Sequence, residues 1–150
     1  MGGVTVRIAL CALLAAFACM AQADRPDCGD RPVLTSIKDD GTAIGIVISD
    51  EQRSKMPRWS IDSGDPPLAL SKAIAAAKVW AKKAYTRYDD VRVDSISLSS
   101  FGCATARDQW YYLVHFSPII DGNVLFGGTY FAAVLMDGSV VGPVPVKRDF

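Results

Sequence analysis

The chain has 150 residues, with 16 Lys and Arg against 16 Asp and Glu and a single His. That balance offers no basic stripe to a nucleic-acid partner, and no run of five like charges forms an acidic or basic tail. The length fits one domain with a real hydrophobic core.

The first predicted element is an export signal. Arg7 gives a positive start, Ile8 to Met20 is an uncharged apolar run of 13 residues, and Ala21-Gln22-Ala23 sets small residues at a cleavage site. A bilayer-spanning helix needs about 20 residues, so residues 1–23 read as a cleaved signal peptide and not as a retained anchor. Lipid attachment at Cys19 competes with this reading, but Ala16 and Phe17 fit poorly the positions expected upstream of it. Cleavage between Ala23 and Asp24 leaves 127 residues with 15 basic and 16 acidic side chains and no membrane span. The product is expected in the periplasm or outside the cell.

Cys11 and Cys19 leave with the signal, so Cys28 and Cys103 are the cysteines that remain. In an oxidising compartment the simplest outcome is one disulfide between them. A metal site wants about four ligands at short spacing, and neither cysteine has a second Cys or a His nearby.

Residues 24–66 read as an N-terminal extension. Asp24 to Pro32 is a polar lead-in; Val33 to Lys38 and Ile44 to Ser49 are β-branched runs on either side of Asp39-Asp40-Gly41, which predicts a hairpin. Ser49 to Ser63 shows no clean period and is expected to be a long connection. Asp65-Pro66-Pro67 then announces a helix, since proline is tolerated in a first turn. The alanine-rich stretch from Leu68 to about Tyr88 has high helix propensity. Its apolar stripe runs through Ile74, Ala77, Ala81, Ala84, Tyr85 and Tyr88. Lys72, Lys78, Lys82, Lys83 and Arg87 lie largely off that stripe, as on a solvated helix exterior.

Strand-like runs follow at Val91 to Ser100, Gln109 to Ser117 and Thr129 to Met136. Asp137-Gly138 marks a tight turn before a last run, Ser139 to Val146, which Pro143 and Pro145 confine to an edge or end early. The expected fold is α+β: one long helix across an antiparallel β-meander of about four strands, with the N-terminal β-hairpin as an extension. Residues 67–150 hold the helix and meander and form a single domain with the extension. Alternation puts Trp110, Tyr112, Val114 and Phe116 on the helix side, joined by Phe131, Ala133 and Leu135 of the next strand. The opposite face then shows Tyr111, Leu113, His115, Tyr130, Val134 and Met136, to be covered by the hairpin or by a partner.

The stretch from Leu68 to Val141 resembles small exported domains of the PepSY-like and cystatin-like kind. The likeness lies in a helix opening with LALSKAIAAA, an aromatic strand WYYLVHF and a closing hairpin AVLMDGSVV. The resemblance implies peptidase inhibition or regulation, or an accessory role in the cell envelope. The long extension with Cys28 and the proline-rich last strand depart from that pattern.

Catalytic constellations are scarce. His115 is the sole histidine, and its neighbours Tyr111 and Leu113 do not make a triad. No G-x-S-x-G elbow occurs. The pairs Asp39-Asp40, Asp50-Glu51 and Asp89-Asp90 sit at predicted turns and element ends, where aspartate bonds its own backbone. No cofactor, catalytic or metal-binding set emerges. The sequence therefore points to a non-enzymatic module that binds, inhibits or regulates an unidentified protein or peptide partner. Trp59, Tyr111, Leu113, His115, Tyr130 and Met136 are its candidate binding surface. A small hydrolase or ligand-binding protein with a pocket between helix and sheet is the alternative.

Overall fold

The computed structural model describes residues 28–147 except residue 30. The expected signal peptide and its Ala23–Asp24 junction lie outside these residues.

The longest ladder joins β3 (Asp90–Ser100) to β4 (Trp110–Ile120), antiparallel from Asp90↔Ile119 to Ser100↔Trp110, with a bulge between Val93 and Ser95. Both strands are rich in β-branched and aromatic residues, which suit a half-buried pleat. β6 (Phe131–Leu135) pairs with the other edge of β4, and β7 (Val140–Val141) follows across the Asp137-Gly138 turn. At the far end of β4, Asp121 and Gly122 take positive φ angles of 49° and 75° and fold β5 (Asn123–Val124) back onto the strand.

A second antiparallel sheet lies apart from this one. The hairpin of β1 (Leu34–Ile37) and β2 (Ala43–Ile46) accepts β8 (Val144–Pro145), giving the order β1-β2-β8. The molecule therefore has sheets of five and three strands, not one meander of about four. The reason is the break at Gly142-Pro143: the last run cannot continue β7, so it crosses to the hairpin. Pro145, which has no N–H to donate, sits on an edge strand there. Gly142 permits the crossing, because a Cβ at that position would overlap the Trp80 ring. That ring is stacked on Phe116 and edge-on to Tyr85, so it cannot simply swing aside. Gly142→Ala is expected to lose about 1–3 kcal/mol of stability by overpacking. Gly102→Ala, where nothing lies within 4 Å, is the control, with urea unfolding of both variants as the measurement.

The main helix covers one face of the larger sheet. It runs from Leu70 to Ala84 (called α2 below), shorter than the expected 68–88. Pro66 and Pro67 precede the helix without entering its first turn, and the Tyr112 hydroxyl holds that approach by donating to the Leu68 carbonyl at 2.8 Å. At the other end Tyr85 leaves helical geometry (φ −112°, ψ 46°) to join an aromatic cluster. Ala73, Ala77 and Ala81 recur every four residues and are fully buried. Their small side chains let the helix axis lie close over Tyr112, Val114, Ala132 and Val134. Ala84, placed on the apolar stripe by periodicity, is exposed.

The other face of the sheet is covered by the hairpin. Ile44, Ile46 and Ile48 meet Tyr111, Phe131, Ala133 and Leu135 in one buried cluster, closed by Met56, Phe101 and Ala106. This corrects the expected facing of β6. Tyr112 pairs with Val134 and Val114 with Ala132, so Ala132, Val134 and Met136 face the helix and Phe131, Ala133 and Leu135 face the hairpin. A one-residue change of register exchanges the faces. β6 is buried on both sides, so its sequence has no alternation to fix that register.

Residues 49–63, expected to be irregular, hold a short helix, α1 (Asp50–Lys55). Ser49 caps it: its hydroxyl accepts from the Gln52 N–H, and the Gln52 side chain accepts from the Ser49 N–H at 2.9 Å. This capping box, Ser-x-x-Gln, is legible in the sequence. Arg53 of α1 is only 6% exposed. Its guanidinium donates to the carbonyls of Ile48 (2.6 Å) and Gly29 (3.2 Å), pairs with Asp50, and lies 5.9 Å from the Phe101 ring centre. The Gln109 amide closes the knot by donating to the Arg53 carbonyl at 2.7 Å.

Candidate functional site

At the C-terminal end of α2 the two sheets diverge and leave a cleft of about 620 Å³. Three elements converge on it. The β1–β2 turn brings Lys38, Asp39 and Asp40; the segment leaving α2 brings Ala84, Tyr85, Thr86 and Arg87; the approach to β6 brings Thr129 and Tyr130. Pro143 and Pro145 supply apolar surface beside them, with the buried Ile44 behind.

One wall is aromatic. The Tyr85 and Tyr130 rings meet edge to face at 5.5 Å, and Tyr88 meets Tyr130 likewise at 5.7 Å. Such contacts are worth about 0.5–1.5 kcal/mol beyond the area they bury, so the wall is stiff. The Tyr88 and Tyr130 hydroxyls share a hydrogen bond of 2.6 Å. The Arg87 guanidinium lies 4.7 Å from the Tyr88 ring centre and donates to its hydroxyl. Burial pushes the Tyr88 phenol up, the Tyr130 hydroxyl adds to the rise, and the neighbouring Arg87 opposes it. On the opposite rim the backbone N–H of Thr42 donates to Asp40 and holds its carboxyl below the usual range.

The Tyr85 hydroxyl is enclosed, and its proton has no acceptor among the described residues. Burial pushes this phenol up to about 12, with the Phe131 backbone opposing the rise. The unfolded phenol releases its proton near 10, while the folded one holds it until about 12. Stability from this group is therefore complete below pH 10 and is lost as the pH rises through 12. Tyr85→Phe is expected to leave stability at neutral pH unchanged or slightly higher, because a hydroxyl without an acceptor contributes desolvation and no bond. It should also flatten, without abolishing, the decline above pH 10, since the phenols of Tyr88, Tyr111 and Tyr112 are raised as well. Urea midpoints from pH 8 to 12 measure both effects.

The side chains singled out from the sequence are scattered. Tyr111 is buried against Phe101, their ring centres 5.1 Å apart, and Leu113 packs beneath the hairpin. His115 is half-buried on that same face, opposite Ser95, 6.2 Å from the Phe131 ring. No hydrogen bond engages its imidazole among the described residues, and it stands outside the lining of the cleft. Met136 is buried on the helix side. Trp59 lies against Trp110 in an edge-to-face contact at 5.5 Å. Tyr130 alone of the six lines the cleft. Cys28 and Cys103 are joined, with Cα atoms 5.2 Å apart.

Among the described residues no three His, Cys, Asp or Glu side chains converge as a metal set. No helix among them is long and apolar enough to cross a membrane. Fold and disulfide together define a mixed α/β protein of two antiparallel sheets and one main helix. The chain matches no protein-family model, no curated protein and no solved structure.

Proposed function

We propose that the chain is an exported, non-enzymatic binding module of the cell envelope, acting on a protein or peptide partner in an inhibitory or regulatory role. The observation that carries this reading is the make-up of the cleft: phenols and a guanidinium beside the apolar surface of Pro143 and Pro145. Rigid aromatic rings give large contact area at little entropic cost, and a recess of this size is usual for ligand sites. The pattern shared with PepSY-like and cystatin-like domains supports the same reading. Export is supported by the order of Arg7, the apolar run and Ala21-Gln22-Ala23, and by a disulfide of the kind that persists in oxidising compartments.

The competing hydrolase would need a base beside a nucleophile. The one histidine stands outside the cleft, and this favours binding over hydrolysis. A photoreactive residue at Thr129, inside the cleft, is compared with one at Lys72 on the exposed side of α2. The reading expects one discrete cross-linked species from Thr129 and none from Lys72 in cells that export the chain. Identical patterns from both positions would overturn it. Mass spectrometry of the exported product should find a new N-terminus at Asp24, and a chain that keeps residues 1–23 would remove the export part of the reading.

A further inference from the structure

The aromatic wall of the cleft has more protons to donate than oxygens to receive them. Tyr130 on the lining and Tyr88 behind it each bring one O–H, while the Tyr85 hydroxyl is enclosed and faces no ligand; Arg87 brings the planar N–H fork of a guanidinium, which accepts nothing. Arg87 donates to the Tyr88 hydroxyl. The Tyr88 and Tyr130 hydroxyls share a single bond of 2.6 Å, which uses one of their two protons whichever way it runs. The second proton is left over in either arrangement, because the other hydrogen-bonding group on the pair among the described residues, Arg87, is a donor.

Across the cleft, Asp40 already receives the Thr42 N–H at 2.8 Å. Neither Asp39 nor Asp40 is hydrogen-bonded to a phenol or to Arg87 among the described residues. What the wall lacks is a group that accepts several hydrogen bonds and donates none, and an ionised carboxylate is that group. Lys38 on the facing turn supplies a second cation, while Asp39 and Asp40 balance the two cations. A lining without net charge disfavours a phosphate-rich ligand.

We infer that the cleft receives a carboxylate, gripped by Tyr130 and Arg87, with the attached apolar group seated on Pro143 and Pro145. The inference rests on the reading of the cleft as the binding site. Arrival of the carboxylate selects one proton order: Arg87 donates to Tyr88, Tyr88 to Tyr130, and Tyr130 to the ligand. Each bond in such a chain polarises the next. Two carriers of the group fit the space, the C-terminus of a peptide and a free branched organic acid.

The test titrates the mature chain, residues 24–150, with three probes while the tyrosine ring signals are followed by NMR. The probes are N-acetyl-Pro-Ala-Leu with a free carboxylate, the same peptide as its C-terminal amide, and 4-methylpentanoate. The free-carboxylate peptide should shift the Tyr130 and Tyr88 ring signals and bind at least about tenfold more tightly than the amide. Tyr130→Phe, which keeps the ring, and Arg87→Gln should each weaken it about tenfold. Arg87→Lys should restore part of the loss. Binding by 4-methylpentanoate equal to that of the peptide identifies a free acid as the carrier, and binding by the peptide alone identifies a chain terminus; either supports the inference. Equal affinity for peptide and amide would overturn the inference and leave the cleft as a binding site. No shift from any probe up to about 10 mM would also overturn it, while the Thr129 cross-link decides separately whether the cleft binds a partner.

Discussion

Phe131→Ala is expected to destabilise the protein by about 3–5 kcal/mol, the largest effect of any single truncation considered. Phe131 has no exposed surface and is the bulkiest of the fully buried side chains. It stands on β6, in the middle of the cluster that joins the larger sheet to the hairpin. Removing the ring takes away its transfer free energy and leaves a void that neighbours on two separate sheets cannot close together. Against a total stability of roughly 5–15 kcal/mol for a domain, the variant should lower the urea midpoint by a large fraction or prevent folding at 37 °C. A loss below about 1 kcal/mol would be incompatible with the hairpin resting on β6. The same measurement on Val79→Ala, a position 58% exposed on α2, should show a change within about 0.5 kcal/mol.

The second large effect concerns Cys28–Cys103. The bond spans a sequence separation of 75, and the chain-entropy relation puts closure of such a loop at about 4 kcal/mol. The enclosed segment contains both strands of the hairpin, α1, α2 and β3, so the unfolded chain is restrained over more than half of the described residues. In the folded state the bond also keeps the Gly29 carbonyl on the Arg53 guanidinium. The Cys28→Ser, Cys103→Ser double variant is expected to lose about 2–4 kcal/mol. The wild-type chain should lose a similar amount when unfolded in reductant. Equal midpoints with and without reductant would mean that the bond does not restrain the unfolded chain.

The elements that were legible from the sequence are those whose pattern is local. The alanine-rich helix, the aromatic strand β4 and the Asp39-Asp40-Gly41 hairpin follow from propensity, period and turn chemistry over a few residues. The disulfide followed from counting cysteines left after signal removal. β6 was assigned as a strand, but its facing was reversed, because six successive buried residues from Phe131 to Met136 carry no polar mark of inside and outside. α1 announces itself only by its Ser-x-x-Gln cap: it is six residues long, and its buried face is largely an arginine whose partners are backbone carbonyls 5 and 24 residues away. No hydrophobic period reports a helix of that kind.

The cleft was illegible because it is made by a crossing. Lys38, Tyr85, Arg87, Tyr130 and Pro143 lie on four separate stretches of chain. They come together only because β8 leaves the larger sheet at Gly142 and pairs with β2. Tyr130 was singled out as part of an outer sheet face, yet the register of β6 puts it on the helix side with Tyr85. The sequence phrase Tyr85-Thr86-Arg87-Tyr88 at the end of a helix was the available local signal. Its two phenols and one guanidinium outnumber what a helix exit needs.

The route of β8 also sets an order of events. β2 is the middle strand of its sheet, and its second neighbour is supplied by Val144 and Pro145 near the other end of the chain. An isolated two-stranded hairpin is marginal in water, and this one rests on β6, which is synthesised almost a hundred residues later. The hairpin is thus the earliest-made sheet among the described residues, and it is completed only by strands made near their end.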